Sequence, residues 1–147
     1  MSYIDETLLP DEHVVYRTAL HWIIFARGAL VLLAGVAALI AVPHVPLVGA
    51  AILLVGVLML IPPFIDYQTT ELGVTNKRVI VKVGFVRRRT LELLLRQVEA
   101  LSVDQTLGGR MFGYGTITLT GTGGVREVYH RVRAPLELRR RIQGQVA

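Results

Sequence analysis

"GALVLLAGVAALIAVPHVPLVGAAILLVGVLMLIPPFI", residues 28 to 65, runs for 38 positions without one Asp, Glu, Lys or Arg. "PHVP" at 43 to 46 divides it, so the stretch holds two hydrophobic runs. The second, 45 to 65, has 21 residues. At ~1.5 Å of helical rise per residue it spans ~31 Å, about the thickness of a bilayer's hydrocarbon layer. The first reaches that length if it starts at Trp22, which leaves Arg27 shallow enough for its guanidinium to snorkel to the headgroups. The pattern predicts a first transmembrane helix over 22–42, a short outer turn over 43–46 and a second helix over 45–65. A buried soluble hairpin is the competing reading, but its helices would carry a polar stripe and neither run has one.

The rest of the composition agrees. Of 147 residues 52% are hydrophobic, and the mean hydropathy of +0.52 is high for a soluble chain of this size. The opening "MSYIDETLLPDEH" is acidic where a cleaved signal needs basic residues, so both spans are expected to stay in the mature protein. The absence of cysteine excludes a disulfide framework, a thiolate metal site and a redox motif.

Charge sets the expected topology. A four-residue turn forces both flanking segments to one side of the membrane. All 16 Lys and Arg lie in those flanks, two before Gly28 (Arg17 and Arg27) and 14 after Ile65. Positive-inside logic then puts both flanks in the cytoplasm. Trp22, Phe25, Phe64 and Tyr67, with Arg27, fall at that same end, where amphipathic side chains anchor at the interface. Gly28 and Gly35 are seven apart on the first run, as are Gly49 and Gly56 on the second, so each helix offers a face for close approach within the hairpin or between protomers. Pro62 and Pro63 remove two donors, which predicts that the second helix kinks or ends near Ile61.

Beyond Gln68 the pattern becomes alternation. Val79, Val81 and Val83 share one face of a strand, with Arg78, Ile80 and Lys82 on the other. Leu91, Leu93 and Leu95 repeat the period, residues 98–105 read as another strand, and Ile117 with Leu119 alternates with Thr116, Thr118 and Thr120. "GTGG" at 121–124 turns the chain into "VREVYHRV". Pro135 opens a C-terminal helix over 135–146, with Leu138, Ile142 and Val146 on one stripe. "EHVVYRTAL" at 12–20 is strand-like and lies before the first span. Residues 1–21 are therefore read as a cytoplasmic segment carrying the first strand, and 66–147 as the main cytoplasmic domain.

"LLPDEHVVY", "ELGVTNKRVIVKVGFVRRRTLEL" at 71–93, "GGRMFGYGTITLTGTGG" at 108–124 and "VRAPLELRRRI" together resemble the bacterial PH-domain membrane proteins, the YdbS-like group. The most specific pieces are "TNKR" and "GRMFGYGT", in that order and spacing. The resemblance implies a PH-like fold: an antiparallel β-sandwich or partial barrel of about seven strands closed by the C-terminal helix, with the transmembrane hairpin inserted after the first strand. The class is then membrane-anchored α+β. In eukaryotic PH domains the phosphoinositide pocket surrounds the connection that this hairpin replaces, so any lipid contact here is expected to be generic and electrostatic.

No reaction chemistry is predicted. The four histidines (13, 21, 44 and 130) form no metal pair at helical spacing, "GTGGVR" lacks a phosphate loop's lysine, and Glu99 and Asp104 project to opposite faces of one strand. No catalytic residue, metal, cofactor or small-molecule substrate is expected. The open question is "TNKRVIVKVGFVRRR" at 75–89, with Lys77, Arg78, Lys82, Arg87, Arg88 and Arg89 and no acid. Membrane lipids, a protein partner or homo-oligomer, and a solvated strand that enforces topology all fit it. Nucleic acid fits least, because Phe85 is the stretch's one stacking aromatic. The sequence thus points to a non-catalytic membrane-anchored binding or scaffold module. The alternative is a small subunit of an oligomeric transport or channel assembly, disfavoured because no charged residue lies mid-span.

Overall fold

Two apolar runs and an alternating region fold as separate units, residues 22–68 and residues 1–21 with 69–147. A computed structural model describes residues 2–85 and 87–146. In chain order the elements are α1 (Tyr3–Glu6), β1 (Val14–Thr18), α2 (Ala26–Ala41), α3 (Pro46–Thr69), β2 (Glu71–Thr75), β3 (Arg78–Val83), β4 (Arg89–Leu94), β5 (Val98–Asp104), α4 (Leu107–Phe112), β6 (Tyr114–Gly121), β7 (Val125–Arg133) and α5 (Pro135–Val146). A 3-10 turn at Trp22–Phe25 leads into α2.

In the helical unit the glycines decide the packing. Gly28, Gly35, Gly49 and Gly56 are its buried glycines, facing Leu60, Leu53, Leu39 and Leu32 of the opposite helix. A Cβ at Gly35 would lie 2.8 Å from Leu53 Cδ2 and 3.0 Å from its backbone nitrogen, so a larger residue would push the helices apart. Leu30, Leu33, Ile40, Leu47 and Leu54 point outward at 61–79% exposure. By length and composition, both helices can cross a membrane. Contrary to an ending near Ile61, α3 continues through Pro62 and Pro63 to Thr69. Proline's fixed φ is itself helical, so each ring removes one backbone bond without forbidding the turns that follow.

The second unit is a two-sheet sandwich. Four strands pair in the order β1-β2-β3-β4 and three in the order β5-β6-β7, all antiparallel. A bridge between Leu20 and Val132 links the chain beyond β1 to the second sheet. Leu72, Val74, Val79 and Val81 from the first sheet meet Ile117, Leu119 and Val132 from the second, and α5 adds Leu138 and Ile142. This is the alternation the strands were read from: every second side chain enters a shared core.

One face departs from that reading. Arg78 and Ile80, assigned to the solvent side of β3, are 8% and 0% exposed. The chain before β1 covers them: Ile4 of α1 lies against Gly73, whose cross-strand partner is Ile80. A four-residue helix is too short to show periodicity, so the cover had no sequence signal of its own.

Candidate functional site

The "TNKR" quartet is the first place to look for a ligand site, and its four side chains bind the protein's own N-terminal segment. Thr75 Oγ1 donates to Glu12 Oε1 at 2.6 Å. Asn76 donates to the Asp11 carbonyl at 3.1 Å and accepts from the His13 N–H at 3.0 Å. Lys77 Nζ donates to the Pro10 carbonyl at 3.0 Å. Arg78 donates to both Glu12 oxygens at 3.0 and 3.1 Å, to the Thr7 carbonyl at 2.5 Å and to Glu92. Burial pushes the Glu12 carboxyl up, but the hydrogen bonds from Thr75, Leu9 and Arg78 and the guanidinium charge outweigh it and hold the group below its ordinary 4.5. Hydrogen bonding to Glu12 raises Arg78 correspondingly. Arg78 therefore leaves the set of candidate contact residues, since its donors are committed inside the fold.

The other five cations divide by position. Lys77 belongs to the same clasp, and Lys82 lies 5.2 Å from the Tyr3 ring centroid. Arg89 reaches Glu127 across the two sheets at 2.8 Å, a pair open to solvent. Arg87 and Arg88 are exposed in the turn between β3 and β4, where Phe85 is also exposed at 64%. Gly84 begins that turn at φ +89°, and a Cβ there would meet the Arg87 carbonyl, so the sharp reversal requires glycine.

Strand register tells which end of the sandwich this turn occupies. Lys82 pairs with Glu71, and Leu72 pairs with Thr18. The β3–β4 turn therefore lies at the end of the sheet where the chain enters from Thr69 and leaves through Leu20 and His21. The β2–β3 turn, with the "TNKR" clasp, lies at the opposite end.

The second sheet contributes α4 beside the point where the chain leaves β1. His21 donates its backbone N–H to the Arg131 carbonyl at 2.8 Å, its ring stands 5.3 Å from that of Tyr114, and it is hydrogen-bonded to the Phe112 backbone. Burial holds the His21 imidazole below its ordinary 6.5; the Phe112 bond opposes this and the Arg133 charge adds to it. Thr106 caps α4 by accepting from the Gly109 N–H at 3.1 Å, and Gly113 ends it at φ +78°. Neither α4 nor its exposed Leu107, Met111 and Phe112 was expected. Two glycines in a six-residue helix argue for a turn, and only the Thr-x-x-Gly-x-x-x-Gly spacing of cap and terminator hints otherwise.

Trp22 and Phe64 are exposed on the helical unit at 51% and 56%, Arg27 is exposed, and the Phe25 ring lies tilted against that of Tyr67, centroids 5.5 Å apart. An open cleft of about 750 Å³ lies between α4 and α5, lined by Asp104, Arg110, Pro135 and Glu137. One cation there faces two carboxylates, and Glu137 already pairs with Arg140 and Arg141 at 3.3 and 2.8 Å, so the cleft selects no ligand charge. Among the described residues no three His, Cys, Asp or Glu converge on a metal position.

Among solved structures the chain is similar to a DUF1696 family protein with a pleckstrin-homology domain from Shewanella loihica PV-4, determined at 2.00 Å. The identity is 15% and the TM-score 0.42, covering 53% of this chain and 71% of that one. No curated protein matches. The family model for the bacterial PH domain matches residues 25–146, and the chain accordingly belongs to the bacterial PH domain family.

Proposed function

We propose that this protein is a non-catalytic binding module held at the bacterial inner membrane by a two-helix transmembrane hairpin, with one end of its PH-like sandwich resting on the anionic cytoplasmic leaflet. The observation that carries the reading is the register: both junctions with the hairpin and the Phe85–Arg88 turn lie at one end of the first sheet. The outward leucines and isoleucines of α2 and α3 support the anchor, because in water they would form an apolar surface far beyond what a monomer exposes. Each cation near an anionic surface contributes ~1 kcal/mol, so two arginines suffice to bias the orientation of an already tethered domain. Both arginines are exposed, so the contact reads charge rather than a headgroup.

Full-length protein in nanodiscs tests this, with a polarity-sensitive dye on Phe85→Cys. Emission should shift to the blue when neutral lipid is replaced by a neutral–anionic mixture, and the shift should disappear with Arg87→Gln and Arg88→Gln or at high salt. Identical spectra in neutral and anionic discs would remove the lipid contact. Orientation is tested separately in intact cells: Val45→Cys should react with an impermeant thiol reagent and Thr122→Cys should not.

A further inference from the structure

Helix α4 is built inside out. A surface helix normally turns its apolar side chains to the core, yet here Leu107 and Met111, four apart on one face, are 82% and 81% exposed, and the adjoining Phe112 is 50% exposed. The inward side is glycine. A Cβ at Gly109 would lie 2.6 Å from the Tyr114 carbonyl oxygen, and one at Gly108 3.4 Å from the Tyr114 hydroxyl. The helix is held by its Thr106 cap, the Gly113 terminator and this close glycine approach, so its apolar side chains are not what secures it. Single exposed apolar residues are ordinary, but three of the six residues in one capped helix, with Leu136 of neighbouring α5 also 52% exposed, form a patch.

We infer that α4 is a shallow membrane wedge, with Leu107, Met111 and Phe112 entering the headgroup–acyl boundary of the leaflet that the hairpin crosses. The inference rests on the transmembrane reading of the hairpin proposed above. Chain continuity supplies the occupant. His21 is bonded to Trp22, the first residue of the predicted span, and the same His21 is hydrogen-bonded to the Phe112 backbone at the end of α4. The headgroup region is only about 5–7 Å deep on each side of the bilayer, so a helix tied to His21 lies within reach of it. Charge is complementary too. Arg133, the cross-strand partner of Tyr114 just beyond α4, is exposed, and a cation beside an apolar face is how interfacial helices hold anionic lipid. Together with the Phe85 turn of the other sheet, the wedge gives the domain a second lipid contact.

The chain has no cysteine, so single-cysteine labelling of the full-length protein in phosphatidylethanolamine–phosphatidylglycerol nanodiscs tests the wedge. Met111→Cys and Leu107→Cys carry the fluorophore, with Leu54→Cys in the second span and Thr122→Cys at the end of the second sheet remote from α4 as references. The wedge predicts that lipids brominated near the glycerol end of the acyl chain quench positions 107 and 111 severalfold more than 122, and that aqueous iodide does the reverse. If Leu54→Cys is lipid-quenched while 107 and 111 behave like 122, the wedge is wrong and the anchor stands. If 107 and 111 are shielded from iodide without lipid quenching, a second copy covers them and the lipid assignment fails. If Leu54→Cys itself escapes lipid quenching, the transmembrane reading falls and the wedge with it.

Discussion

Arg78 and Arg88 stand ten residues apart in one basic run, at opposite ends of the same β-hairpin, and their surroundings differ in every respect that decides what a cation does. Arg78 is buried and hydrogen-bonded to Glu12, Glu92 and Thr7. Arg88 is exposed in a turn at the end where the helices join. The difference teaches that charge density along a strand is not evidence of a binding surface until each charge has been matched with its partners. The clasp end uses its cations to fix the N-terminal segment, and the junction end leaves Arg87 and Arg88 exposed.

The largest effect should come from breaking the clasp. Arg78→Met leaves the Glu12 carboxylate buried beside Thr75 without its countercharge, and such a change typically costs about 3–5 kcal/mol. Chemical unfolding of the full-length protein in detergent, followed by the circular dichroism of the β unit, should register this. Arg78→Met combined with Glu12→Leu should recover much of the loss, because no unpaired charge then remains. A single mutant as stable as the parent would mean that the clasp end is as loosely held as the turn.

Acid should loosen the clasp reversibly. The Glu12 carboxyl is held below its ordinary 4.5 in the folded protein, so the unfolded chain binds the proton more readily. The resulting stability is complete above about pH 4.5 and is lost as the pH falls through the lower folded value. Asp5, lowered by its hydrogen bond with Arg17 at the surface, titrates in the same direction, and Asp5→Asn removes its share. Acid sensitivity that survives both Asp5→Asn and Glu12→Gln would have to arise elsewhere.

Asn76→Ala should cost less, about 1–2 kcal/mol for two hydrogen bonds at an exposed position. Its signature should be local: faster amide exchange over residues 9–13, with the core strands unchanged. Uniformly faster exchange would instead make the clasp part of the global unfolding unit.

These contrasts mark what was legible in the sequence. The hydrophobic runs announced two long helices, and alternation announced β3, β4 and β6, because a side-chain period of two is imposed by a core on one face. The strand at Val14–Thr18 was legible from its β-branched and aromatic residues, although its partner β2 lies beyond the entire hairpin. Arg78 was misread because the cover over its face comes from a segment too short to display a period. Its signals were indirect: Ile80 between two cations on a supposedly polar face, and Glu12 within the motif-bearing "LLPDEHVVY". Helix α4 was missed because propensity counts its glycines as breakers, whereas their close approach to Tyr114 seats it. The continuation of α3 past Pro62 and Pro63 overrides only the ending, one of the two outcomes those prolines offered.

The smallest effect on stability should come from the other end of the hairpin. Arg87→Gln with Arg88→Gln touches two exposed side chains outside the clasp, and surface changes of this kind usually fall within about 0.5 kcal/mol. Unfolding of this variant should therefore overlay the parent's, while the anionic-lipid shift of a label at position 85 is lost. That pair of outcomes separates a surface used for contact from one used for folding, which the charge pattern alone cannot do. Should the variant unfold earlier and keep its lipid response, the roles of the two ends would be reversed. Retention of both stability and lipid response would leave the arginines only their effect on topology. Positive-inside logic predicts that effect for any cation on this side of the hairpin, whatever its place in the sandwich.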